Sequence, residues 1–113
     1  MKESPLFVKT YDLLLWLIPQ VQQFPRTHRF GLAERIQRLA LDFQDAIVWA
    51  GKTAGPERRS CLIQADVHLE QLRLWLRMAR DLEIFPVRKY EHAARLVTEV
   101  GRLLGAWIKV TTE

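Results

Sequence analysis

A single cysteine, Cys61, stands among the 113 residues, so no disulfide closes within a chain and no cysteine-based zinc site can be built. Glycine and proline are scarce at five each, which leaves few places for the backbone to turn. The longest strongly apolar run, Leu13 to Ile18, is far shorter than a bilayer span, and no membrane association is expected. No basic, apolar, small-residue leader opens the sequence, so a cytoplasmic location is expected. No stretch alternates with period two and β-branched clusters are missing, which argues against strands. Neither a Gly-rich phosphate loop nor Gly-x-Ser-x-Gly occurs. The Glu-x-x-His pairs of di-iron bundles are absent too, and His28, His68 and His92 share no spacing, so neither metal nor cofactor is expected. Helical ribonucleases of the HEPN type separate an Arg from a His by four to six intervening residues, one of them polar. Arg88-Lys89-Tyr90-Glu91-His92 is one residue too tight and lacks the polar residue after the Arg. The protein is expected not to be an enzyme.

What is present reads as helix. Hydrophobic residues make up 49% and charged residues 27%, the balance of a globular chain, and 113 residues suit one domain over 1–113. Ser4-Pro5 reads as an N-cap followed by Pro at the first helical position. Apolar residues then recur with three-four spacing at Leu6/Phe7, Tyr11, Leu14, Leu17/Ile18 and Val21. Pro19 predicts a kink or an early end, since it removes the bond to the Leu15 carbonyl. A second segment opens near Thr27, carries Leu32, Ile36, Leu39, Phe43, Ile47 and Ala50, and stops at Gly51. The third runs from about Pro56 to Leu82 on Leu62, Ala65, Leu69, Leu72, Leu76 and Ala79. The fourth begins near Pro86 and carries Tyr90, Ala93, Val97, Val100, Leu104 and Trp107. Short connections make neighbours antiparallel, so the expected fold is all-α, an up-down-up-down four-helix bundle. Each helix holds one tryptophan (Trp16, Trp49, Trp75, Trp107), and all four are expected to fill the core.

The apolar residues exceed what one core needs. Leu96, Leu103 and Val110 repeat at heptad spacing beside the main line of the fourth helix. The third adds Ile63, Val67, Leu74 and Met78 to its own line, and the first is apolar nearly all round between Leu13 and Ile18. Surplus faces in register over several turns point to burial against further copies, in a cyclic homo-oligomer. Leu96, Leu103, Val110, Leu74 and Met78 are the expected interface residues. Gly101 and Gly105, four apart on the fourth helix, suit a close helix–helix approach.

The charge is arranged as well. The net charge is +4 and the isoelectric point about 9.6, and twelve of the 17 basic residues are arginine. Residues 1–72 carry an excess of +1, residues 73–113 one of +3. Arg88, Arg95, Arg102 and Lys109 are spaced by seven, which keeps them on one side of a helix. Arg73, Arg77 and Arg80 share a face of the third helix, which turns acidic at Asp66 and Glu70. Arg26, His28 and Arg29 crowd the first corner. Such stripes neutralise phosphates, or pair with an acidic partner protein, or stand solvated beside intrahelical partners such as Glu91–Arg95 and Glu99–Arg102.

Certain stretches resemble a known family. The stretch from Leu69, with Leu72-Arg73-Leu74-Trp75-Leu76-Arg77, is similar to the third-helix signature of the accessory variability determinant (Avd) proteins of diversity-generating retroelements. Glu99-Val100-Gly101-Arg102-Leu103-Leu104-Gly105-Ala106-Trp107-Ile108 fits the fourth helix, and Phe24-Pro25-Arg26-Thr27-His28 and Ala65-Asp66 fit as well. The similarity runs from about Tyr11 to Lys109. A wider circle includes four-helix proteins encoded in intervening sequences of large-subunit ribosomal RNA genes, a branch of unknown or RNA-related function. The resemblance implies pentameric rings of four-helix bundles with a basic exterior, without enzymatic activity. It implies association with the retroelement reverse transcriptase and with template RNA or DNA, in support of mutagenic reverse transcription and retrohoming. On that resemblance the binding role falls to Arg26, Arg73, Arg77 and Arg102. Arg88, Arg95 and Lys109 join them on spacing alone. No long basic tail follows Lys109 in the sequence, so tail-based RNA contacts are not expected.

Overall fold

The computed structural model describes residues 4–112, with the side chain of Thr112 left out of the description. Four helices carry the chain: α1 (Pro5–Gln22), α2 (Glu34–Lys52), α3 (Gly55–Asp81) and α4 (Val87–Thr112). No strand occurs among the described residues. A 26-residue helix is about 39 Å long at 1.5 Å per residue. The body measures 44 × 23 × 23 Å, so the helices lie along its long axis. α1 packs on α2 and α4, and α3 packs on α2 and α4, which closes a four-helix bundle. No helix among the described residues is long and apolar enough to cross a membrane.

The inward lines are those the spacing predicts. Leu13, Leu17 and Val21 of α1 meet Ile36, Phe43 and Ile47 of α2, Leu62, Leu69, Leu72 and Leu76 of α3, and Val97, Val100 and Leu104 of α4, all buried. The connections 23–33 and 82–86 fall at one end of the bundle. Phe24 and Phe85 plug that end with ring centroids 5.5 Å apart, and Trp16 packs on Phe85 at 6.5 Å. Phe7 and Trp107 close the other end at 6.2 Å. There Arg58 Nε donates to the Ala50 carbonyl at 2.9 Å, adding to the longer bonds that Thr53 makes to the same group at the end of α2.

Several expectations need correction. α1 continues through Pro19 to Gln22 rather than ending early; Leu15, whose carbonyl loses the Pro19 N–H, is an exposed residue, so that carbonyl is not sealed in the core. α2 begins at Glu34 and not near Thr27, because a 3-10 turn (Arg26–His28) and a π turn (Arg29–Ala33) take up the intervening chain. Trp16 and Trp107 pack against the core, but Trp49 and Trp75 are exposed. Both of these lie off the inward lines of their helices, and the smaller Ala46, Ala50, Leu72 and Leu76 take the core positions beside them.

α3 ends where Glu83 adopts a left-handed conformation, φ 61°. The Ile84 N–H then donates back to the Ala79 carbonyl at 2.9 Å, and Phe85 follows at 3.1 Å. A side chain at positive φ costs energy that glycine does not. Glu83→Gly is therefore expected to stabilise the protein by about 1 kcal/mol, read as a thermal midpoint raised by a few degrees. A lowered midpoint would show that the Glu83 side chain contributes more than its backbone costs.

Candidate nucleic-acid interface

α4 turns Ala93, Val97, Val100 and Leu104 inward, which forces Arg88, Arg95, Arg102 and Lys109 onto its opposite side. All four are exposed. The row runs about 32 Å from Arg88 to Lys109, the length of six helical turns.

A second basic element lies in the groove between α3 and α4. Arg73 and Arg77 line it from α3 with Glu70, and Tyr90, Ala94 and Thr98 line it from α4, around a volume of about 240 Å³. Glycine at 101 makes room for this arrangement: a Cβ there would overlap Arg73 Nη2 and touch Leu69 Cδ2 at 3.4 Å. At Gly101 the space is thus taken by side chains of α3, within the bundle. At Gly105 an added Cβ meets nothing within 4 Å. Toward the connection 82–86, Arg80 lies over the Tyr90 ring with its guanidinium carbon 4.5 Å from the centroid, and it also pairs with Asp81 at 2.8 Å. The Tyr90 ring is thereby fixed in place.

The guanidiniums divide by partner. Arg102 forms a two-pronged pair with Glu99, Nη2 donating at 2.8 Å and Nε at 3.3 Å. The hydrogen bond from Arg102 holds the Glu99 carboxyl below its ordinary value; desolvation opposes it, and the charges of Arg102 and Lys9 add smaller lowering effects. The pair therefore persists at neutral and mildly acidic pH and is lost as pH falls through the lowered value. Arg73 pairs more loosely with Glu70, at 3.5 Å. The expected Glu91–Arg95 pair does not form, and Arg26, Arg77, Arg88 and Arg95 have no ion pair among the described residues. The Arg102–Glu99 and Arg73–Glu70 pairs are both solvent-facing, so salt screens them.

The seven basic residues do not converge on one point. Arg73 and Arg77 share the groove, the α4 row passes along its outer lip, and Arg26 sits apart at the connection 23–33. Tyr90 and Thr98, which the charge pattern does not reveal, complete the groove; their positions become visible only once α3 and α4 are paired. Among the apolar residues expected to meet other copies, Leu96 and Leu103 are half-buried against the protomer's own core. Leu74, Met78 and Val110 are exposed, and Leu74 and Met78 continue the exposed line of Ile63 and Val67 along the back of α3. A separate apolar depression of about 310 Å³ lies between α1 and α2, lined by Tyr11, Leu15, Ile18, Pro19 and Leu41.

Comparison with known proteins bears on both fold and family. A solved structure from Bacteroides thetaiotaomicron, described as a protein of unknown function from the S23 ribosomal protein family, superposes with a TM-score of 0.84. It is 18% identical, and the match covers 92% of this chain and 95% of that one, which establishes a shared four-helix fold. None of the curated proteins compared matches the chain. A family model described as bAvd-like matches residues 6–111, nearly the whole of the bundle including α3, α4 and the connection 23–33. The chain belongs to the bAvd-like family.

Proposed function

We propose that this protein is a non-catalytic accessory factor of a diversity-generating retroelement. It assembles as a homo-oligomeric ring, a pentamer by the family resemblance. Its basic surface holds reverse transcriptase and template RNA or DNA together during mutagenic reverse transcription and retrohoming. The observation that carries this reading is the outward row of Arg88, Arg95 and Arg102 beside the Arg73–Arg77 groove, on a chain of the bAvd-like family.

The physical role is tethering. Holding a polymerase and its template on one body turns a bimolecular encounter into a local one, and this needs no bond making by the scaffold. Guanidiniums suit the task because each presents a planar fork to phosphate or carboxylate oxygens. The groove adds a fixed tyrosine ring between arginines. The bundle fold alone is shared with the S23-family protein and does not decide between the two branches; the family match favours the Avd reading.

Arg73→Ala combined with Arg77→Ala is expected to weaken RNA binding without loss of helicity. The slope of log K against log salt should flatten by about 1.4, since each phosphate contact on a single strand contributes about 0.7. Anisotropy titrations at several salt concentrations measure both; an unchanged slope would remove the groove from the interface. Glu99→Gln releases Arg102 and removes a negative charge, so it should tighten RNA binding; weaker binding would show that the carboxylate itself serves the partner. Leu74→Glu with Met78→Glu should reduce the native mass of the assembly toward the monomer. An unchanged mass would move the subunit contact elsewhere.

A further inference from the structure

We propose that the connection between α1 and α2 is a stacking platform for one unpaired base of a nucleic-acid strand, with Phe30 as the platform. This rests on the reading of the chain as a nucleic-acid binder and adds the place where a strand's base, rather than its phosphates, is held.

Phe30 is 89% exposed, more than any other large apolar side chain described. It is on the π turn Arg29–Ala33, off the inward line of Ala33, Ile36, Leu39 and Phe43 that buries α2. A π turn is an insertion that the helix tolerates at a cost, and such turns gather at functional sites. The neighbours are basic and uncommitted: Arg26, Arg29 and Arg35 are exposed, with no ion pair or side-chain hydrogen bond among the described residues. The nearby Glu34 is itself engaged, 4.0 Å from Arg38. Beside the ring lies an open depression of about 370 Å³, whose polar lining is Gln22, Arg29, Gln37 and the Glu34 carboxylate. Its two amides provide donors and acceptors for a base edge. Lys89 Nζ donates to Gln23 Oε1 at 3.2 Å, so the basic start of α4 adjoins the same corner.

An exposed aromatic face beside Arg29, on a segment that also carries the unpaired Arg26 and Arg35, is what a single strand needs, since its bases are splayed and its phosphates follow closely. A duplex hides its base faces and would leave Phe30 unused. An acidic protein would satisfy the arginines but would find no reason for the flat ring and the flanking amides.

The test compares the full-length wild type with Phe30→Ala, Phe30→Leu and Phe30→Trp. The probes are labelled oligo-U, oligo-dT and a duplex of about twelve nucleotides, within the span one aromatic-lined site covers. Phe30→Ala and Phe30→Leu should lose roughly 5- to 100-fold in affinity for single strands, the range that stacking of one base supplies. Phe30→Trp should retain binding, and the duplex affinity should stay constant in all variants. Equal loss on oligo-U and oligo-dT is expected, because a ring face does not read the sugar. Full binding by Phe30→Ala or by Phe30→Leu overturns the platform while leaving the functional reading standing. So does an equal loss on duplex, or a changed native mass, which would mean the ring is covered by a second copy. If the wild type binds none of the probes, the functional reading itself fails and the platform with it.

Discussion

A helix has one inward side, and this constraint governs the whole molecule. Once α3 commits Leu62, Leu69, Leu72 and Leu76 to the core, the 100° turn per residue leaves no choice for the rest. Arg73 and Arg77 fall on the flank toward α4, while Ile63, Val67, Leu74 and Met78 fall on the back. α4 repeats the logic, its buried Val97, Val100 and Leu104 driving the arginines outward. The basic surface is thus a by-product of how leucine and valine are spaced, and a shift of one residue in the core line would scatter it.

The fold was therefore legible in the sequence to the extent that periodicity controls it. The four helices, their inward lines and their short connections all follow from three-four spacing and a few turn residues. The misses have local causes. Thr27 resembles a helix cap, but the chain between Pro25 and Glu34 takes a 3-10 turn and then a π turn, which apolar spacing does not encode. Trp49 and Trp75 are large and apolar, yet size does not place a residue inward when its helical angle is wrong. Pro19 sits within α1 without ending it, and the helix continues to Gln22.

The candidate site was legible in part for the same reason. Heptad spacing sufficed to place Arg88, Arg95, Arg102 and Lys109 on one side. It could not show that Glu99 occupies Arg102 whereas Glu91 leaves Arg95 alone, because both carboxylates are at helix-compatible distances and only side-chain geometry separates them. Nor could it pair Tyr90 with Arg80, or Gly101 with Arg73, across two helices. Phe30 was invisible because its apolar character suggests core; its position between Arg29 and Gly31, outside the α2 line, was the only hint.

The two connections 23–33 and 82–86 share one end of the bundle, while the turn at Thr53-Ala54 is at the other. Rotation about the axis of a ring never exchanges its two faces. A cyclic assembly of this bundle, standing on end, would therefore have a top unlike its bottom. One rim would repeat the π turn once per subunit at equal intervals, like teeth on a gear, and a linear polymer wound along it would engage with a fixed directionality.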